Sequence, residues 1–123
     1  MLYLIRGLPG SGKSTFADIL PASNHEADTF FYDEDCHYVF DATKLSEAHA
    51  ACQQGVKEDM ENGINAISVA NTFSRQWELE PYRALAKDYG YDITEITMTG
   101  KLFGNHHGVP EETINKMRDR WEK

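Results

Sequence analysis

Apolar residues recur along the chain in two rhythms. Leu2-Tyr3-Leu4-Ile5 and Ala66-Ile67-Ser68-Val69-Ala70 are short, nearly continuous runs, as expected of strands buried on both faces of a parallel sheet. Between them, Leu45, Ala48, Cys52 and Val56 fall at i, i+3, i+7 and i+11, which predicts a helix over 45–61 ended by Asn62-Gly63. A second helical pattern covers 78–89. Glu78 and Glu80 suit its positive start, Pro81 is tolerated in the first turn, Tyr82, Leu85, Ala86 and Tyr89 form the apolar stripe, and Gly90 stops it. Tyr91 to Met98 alternates as a last strand, and Phe16-Ala17-Asp18-Ile19-Leu20 reads as a short helix ending near Pro21. Residues 24–27 have little pattern; a short strand is assigned there because a parallel sheet needs one. Residues 28–41 mix aromatics with acids and read as an irregular segment over the carboxyl end of the sheet. Gly100 to Gly108 is too polar for core and suits a flexible lid. Pro110 opens a final helix, with Glu111 and Glu112 in its first turn and Ile114, Met117 and Trp121 packing it down. The alternation of strand and helix predicts an α/β fold of three layers: a parallel sheet of about four to five strands with helices on both faces, in one domain over 1–123.

A chain of 123 residues, 41 % hydrophobic, can bury one compact core. No apolar run approaches the length of a membrane span, and Arg6 and the glycines after it interrupt the N-terminal apolar stretch. The expectation is a cytoplasmic protein without membrane contact. Cys36 and Cys52 are too far apart for a redox pair motif and read as reduced thiols. The net charge of −8 argues against a long basic surface wrapped by nucleic acid. It leaves room for a local basic cleft that holds one terminal nucleotide. Asp33, Glu34 and Asp35 read as a solvated turn. His49 and Cys52, three apart, are two ligands without a third, so His49 is expected to be packed or hydrogen-bonded rather than metal-bound.

The chemistry concentrates in Gly7-Leu8-Pro9-Gly10-Ser11-Gly12-Lys13-Ser14-Thr15, which fits Gly-x-x-x-x-Gly-Lys-Ser/Thr between a predicted strand and a predicted helix. The glycines permit backbone angles and close approaches that a Cβ forbids. Successive amides from Leu8, Pro9, Gly10, Ser11, Gly12, Lys13, Ser14 and Thr15 then line a concavity suited to phosphate oxygens, although proline itself contributes only stiffness. The following helix adds its free N-terminal donors. Lys13 is expected to reach the β- and γ-phosphates and Ser14 to ligate Mg²⁺. The plain alternative is a glycine-rich turn before an ordinary helix. Asn71 and Thr72, at the carboxyl end of a strand, are candidates for the same site, with a polar turn as their alternative.

From this loop onward the sequence resembles the polynucleotide-kinase-like branch of P-loop kinases. That branch includes bacteriophage polynucleotide 5′-hydroxyl kinases and small phage AAA-family ATPase proteins. Four stretches carry the resemblance: the loop itself, Glu26-Ala27-Asp28, Asn71-Thr72 followed by Pro81-Tyr82, and Asn105-His106-His107-Gly108-Val109-Pro110. The resemblance implies ATP and Mg²⁺ as cofactors. It implies Asp28 as the base that takes the proton of an attacking hydroxyl, and a closing segment in which Lys101, Asn105 and His106 contact the nucleotide. Two departures stand out. The third strand of such kinases often ends in Asp-Thr-Asn or Asp-Asn-Thr, where this chain has Ala70-Asn71-Thr72, so that Asp28 inherits metal duty beside Ser14. The segment 101–107 has no arginine; Lys101, or Arg75 farther back, is the replacement cation.

Three readings follow. The first is a kinase acting on the 5′-hydroxyl of a nucleic-acid end or a nucleotide-like molecule, in the bacterial host cytoplasm if the chain is phage-encoded. The second is a small-metabolite kinase of the same fold, favoured by the acidic charge. The third is an ATP-binding regulatory module with little turnover, favoured by Ala70.

Overall fold

A computed structural model describes residues 1–8, 11–31, 41–98, 119 and 121. In chain order the elements are β1 (Leu2–Gly7), α1 (Lys13–Ile19), β2 (Ser23–His25), α2 (Leu45–Glu61), β3 (Ile67–Asn71), α3 (Glu80–Tyr89) and β4 (Ile93–Met98), with 3-10 turns at Ala27–Phe31, Ala42–Lys44 and Gln76–Glu78. The four strands form one sheet in the order β2-β3-β1-β4, every pair parallel. Leu4 of β1 lies beside Val69 on one side and Glu95 on the other.

Side chains of β1 and β3 alternate between two cores. Leu2, Leu4, Ile67 and Val69 pack with Ala48, Cys52, Val56 and Met60 of α2 and with Tyr82 and Ala86 of α3. Ile5 and Ala70 face the other way, onto Ala17 of α1 with Phe16, Leu20 and Met98 around them. The α/β three-layer expectation is therefore met. Strand order explains it: the connection from β1 to β2 runs one way across the sheet, whereas those from β2 to β3 and from β3 to β4 run back. Right-handed crossovers put helices of opposite travel on opposite faces. The chain reverses direction between β1 and β3, and in open parallel sheets the carboxyl ends of the strands at such a point are where ligands bind.

β2 shows why its sequence signal was faint. Ser-Asn-His has little strand propensity, so tertiary contacts hold it. The Ser68 hydroxyl donates to Asn24 Oδ1 at 2.9 Å, the Ser23 amide donates to the Ala66 carbonyl at 2.9 Å, and the His25 ring meets Asp59 of α2 at 2.6 Å. Gly55 lets that ring lie against α2, since a Cβ there would come within 2.8 Å of His25 Nδ1. Burial raises the Asp59 carboxyl, but hydrogen bonds from Ser23 and His25 outweigh it and leave the group below its ordinary value. A carboxyl lowered by folding stabilises fully above its unfolded value, about 4, and loses that contribution as pH falls through the folded value. Asp59→Asn is accordingly expected to flatten the acid limb of stability, read as the urea midpoint between pH 7 and pH 3. An unchanged limb would show that the β2–α2 clip adds nothing.

Several boundaries differ from the sequence reading. β4 begins at Ile93, and Tyr91 instead donates its hydroxyl to the Ile64 carbonyl. Glu78 lies in a 3-10 turn before α3, where its carboxylate accepts from the Arg75 amide and the Ser74 hydroxyl. Leu45 and Tyr89, assigned to apolar stripes, are 42 % and 37 % exposed because each stripe outruns the surface that covers it. Gly63 and Gly90 do end their helices with positive φ, 72° and 73°. The expected lid and final helix lie largely outside the described residues. No helix among the described residues is long and apolar enough to cross a membrane.

Candidate functional site

The site begins where β1 ends. The Ser11 amide donates to the Leu8 carbonyl at 3.0 Å and closes a tight turn. Gly12 has φ 90° and ψ 8°, a conformation that a side chain would strain, and its carbonyl accepts from Phe16 at 2.9 Å to start α1. Gly7 is equally constrained: a Cβ there would come within 2.2 Å of the Ser11 hydroxyl and 3.2 Å of Met98 Cβ. Lys13 opens α1 and is only 5 % exposed. Among the described residues the buried Ser11 hydroxyl has no hydrogen-bond partner. Such an orphan costs about 1–3 kcal/mol, which an anionic oxygen in the loop would relieve.

A second cluster faces the loop from the far edge of the sheet. The Ser14 hydroxyl donates to Glu26 Oε1 at 2.7 Å. Asn24 Nδ2 donates to Glu26 Oε2 at 2.8 Å. Glu26 directly follows β2, and its carbonyl accepts from the Thr29 hydroxyl at 2.7 Å. The Ala27 amide donates to Asn71 Oδ1 at 2.8 Å, so β3 brackets the turn Ala27–Phe31 that includes Asp28. The other end of that carboxamide points at Cys52, with Nδ2 3.8 Å from Sγ. Asn71 is thus a structural strut, 6 % exposed, instead of a ligand-facing group. Hard oxygens from Ser14 and Glu26 side by side are the donor chemistry that Mg²⁺ uses together with phosphates and water.

A third group shapes the rim. Arg6 is 5 % exposed at the end of β1; its Nε and Nη2 donate to the Phe73 carbonyl at 3.0 and 2.8 Å, and its guanidinium stacks 4.5 Å from the Trp121 ring centre. Phe73 has φ 48°, unusual for an aromatic residue, and the arginine clamps the chain there. Beyond it an open groove of about 620 Å³ is lined by residues that include Leu45, His49, Arg75, Trp77 and Pro81, and Trp77 is 70 % exposed. His49, expected to be packed or hydrogen-bonded, is half-buried in a wall of this groove. Cys52 is a buried free thiol, and burial pushes its ionisation up. Burial, reinforced by Cys52, also raises the Tyr82 hydroxyl. Both groups stay neutral at pH 7, which removes Cys52 as a nucleophile.

Of the residues expected from sequence, Leu8, Ser11, Gly12, Lys13, Ser14 and Thr15 lie together at the loop. Asp28 falls, by its backbone, in the turn bracketed by Asn71. Pro9, Gly10, Lys101, Asn105 and His106 lie outside the described residues, as does Cys36. Glu26 and Arg6 received no role from sequence. Glu26 stood in view inside Glu26-Ala27-Asp28, but only strand order reveals that it meets Ser14. No cluster of three or more His, Cys, Asp or Glu side chains occurs among the described residues.

A parallel sheet that carries a Gly-x-x-x-x-Gly-Lys-Ser loop between an interior strand and the next helix has the arrangement of a P-loop domain. Residues 2–99 match the AAA domain family, and the chain belongs to it. Human NEDD4-binding protein 2 is 35 % identical over 136 aligned residues, which take in 100 % of this chain and 8 % of that protein. The chain thus spans a small part of that relative. Among solved structures, a chain of the Pnkp1/Rnl/Hen1 RNA repair complex superposes with a TM-score of 0.70 at 19 % identity, covering 97 % of this chain and 43 % of that one. Chaetomium thermophilum Kti12, in complex with ADP-AlF3, superposes with a TM-score of 0.68 at 15 % identity, covering 100 % and 81 %. At these identities the superpositions show a shared fold.

Proposed function

We propose that the chain is an ATP- and Mg²⁺-dependent phosphotransferase whose acceptor is the 5′-hydroxyl of a nucleic-acid end or a nucleotide-like molecule. The observation that carries this reading is the convergence at one sheet edge of the phosphate loop, the buried Lys13 and the bracketed turn of Asp28. In the reaction, the acceptor oxygen bonds to the γ-phosphorus as the bond to the β-phosphate oxygen breaks, and ADP leaves. Asp28 takes the hydroxyl proton. Loop amides and Lys13 hold the β- and γ-phosphates and offset the charge that moves onto the leaving oxygen. Ser14, with a carboxylate nearby, would hold Mg²⁺, which would supply further charge neutralisation. From sequence, Lys101, Asn105 and His106 belong to the segment that contacts the nucleotide, and a cytoplasmic setting is part of the proposal.

The groove beside α2 and α3 favours a base-bearing acceptor. Trp77 offers an exposed stacking face, and Arg75 lines the same groove to meet a phosphate. The likeness to a chain of an RNA repair complex agrees with that choice. Incubation with labelled ATP and 5′-hydroxyl oligonucleotides should yield labelled ends. Label found only on nucleosides, sugars or vitamins would favour a metabolite kinase instead, and tight ATP binding without product would favour a regulatory module. Trp77→Ala is expected to raise the KM for oligonucleotide about tenfold, within the ~1–3 kcal/mol that a stacked base contributes, and to leave the KM for ATP alone. Equal effects on both, or on neither, would remove the groove from the acceptor path.

A further inference from the structure

β3 leaves a gap at the metal. P-loop NTPases commonly hold Mg²⁺ between the loop Ser or Thr and an acid on a neighbouring strand. Here Ala70, at the end of β3, packs against Ile5 and Ala17 and has no oxygen to offer. Asn71, the next residue, has committed its carboxamide oxygen to the Ala27 amide. Sequence logic passes the duty to Asp28, but the structure brings a different acid to Ser14.

We infer that Glu26 is the carboxylate of the metal site, moved from the end of β3 to the end of β2. This rests on the nucleotide-site reading above. Glu26 and Ser14 meet across 2.7 Å, although they come from different elements. The carboxylate is held from both sides. Ser14 bonds one oxygen, and Asn24 bonds the other at 2.8 Å. Asn24 is itself fixed by the Ser68 hydroxyl at 2.9 Å, and Ser68 is its partner in the parallel register and fully buried. The chain of donors therefore runs from the core of β3, through β2, to Glu26. The geometry suits a metal ligand better than a simple strut. A carboxylate can accept about four hydrogen bonds, and among the described residues Glu26 accepts two, one at each oxygen. Each oxygen keeps capacity for a cation or for a cation-bound water. Ser14 gives its proton to Glu26, which leaves the lone pairs of its oxygen free for the same cation. Both side chains are half-buried, accessible yet restrained. Asn24, Ser68 and Ser14 carry no charge, so none of these contacts neutralises Glu26.

The test uses Mn²⁺ as a paramagnetic substitute, with ADP as the nucleotide and the full chain. Mn²⁺ binding to the ADP complex is followed by electron paramagnetic resonance, and ADP affinity is measured by calorimetry with and without the metal. Glu26→Gln keeps the size of the side chain and an acceptor for Ser14 but removes the charge. It is expected to weaken Mn²⁺ binding tenfold to a hundredfold and to leave metal-free ADP affinity within twofold of the parent. Asn24→Ala, which keeps Glu26 but loosens one oxygen, should weaken Mn²⁺ binding about threefold to tenfold and serves if the first variant fails to fold. Mn²⁺ affinity within twofold of the parent in the folded variants would overturn the inference while nucleotide binding stands. Failure of the unmodified chain to bind ADP at all would overturn the nucleotide reading, and this inference with it.

Discussion

Replacing Lys13 with alanine is expected to abolish measurable phosphoryl transfer and to weaken ATP binding at least a hundredfold. The lysine sits at the first position of α1, 5 % exposed, directly after a glycine whose left-handed backbone turns the chain from loop to helix. A buried ammonium at that point is costly unless an anion or a ring of acceptors meets it. A bound triphosphate would add such an anion. Without the ammonium, the charge on the β- and γ-phosphates would be offset by loop amides and metal alone. Removal of one such preorganised donor costs about 10²–10³ in rate. Lys13→Arg separates charge from shape. The guanidinium keeps the charge but cannot occupy the compact space of the ammonium, so the account expects a loss nearly as large. Calorimetry for ATP and a labelled-transfer assay read both effects. Wild-type affinity in Lys13→Ala would contradict the assignment of the loop.

Asp28→Asn should behave differently. Loss of a general base costs about 10²–10⁴ in kcat, and because Asp28 is proposed to act on the acceptor, the KM for ATP should stay within about twofold. The turn that carries it is held by the Ala27 amide on Asn71 and the Thr29 hydroxyl on the Glu26 carbonyl. The substitution should therefore leave the thermal midpoint nearly unchanged. Transfer that survives undiminished would refute Asp28 as the base. Comparison with Glu26→Gln is informative: Glu26 should respond in metal affinity and Asp28 in kcat. Similar profiles for the two would mean that base and metal carboxylate had been divided wrongly.

Much of the framework could be read from the chain because local signals agreed with the global fold. The span of α2, the buried runs of β1 and β3, and the turn at Gly90 all combine periodicity with a stop signal. The phosphate loop is legible because its glycines are needed locally, at Gly12 for φ and at Gly7 for space. What escaped was chiefly what tertiary structure decides. β2 survives on cross-strand and helix contacts that its three residues do not advertise. Leu45 and Tyr89 obey the helical rhythm, yet nothing covers them fully. Ser14 and Glu26 are twelve positions apart, and Arg6 and Phe73 are sixty-seven apart. Only the order β2-β3-β1-β4 reveals that these pairs meet at one edge. Asn71 shows the reverse case: a polar residue at a strand end looked like a ligand and proved to be a brace.

The most direct measurement is a nitrogen-15 NMR titration of the labelled chain with ADP and Mg²⁺. Saturable shifts are expected in the amides of Ser11, Gly12, Lys13 and Ser14, larger than any in α3, and their disappearance in Lys13→Ala. Amides at 11–14 that stay fixed while nucleotide is in excess, or that shift alike in both proteins, would contradict the assignment of the loop.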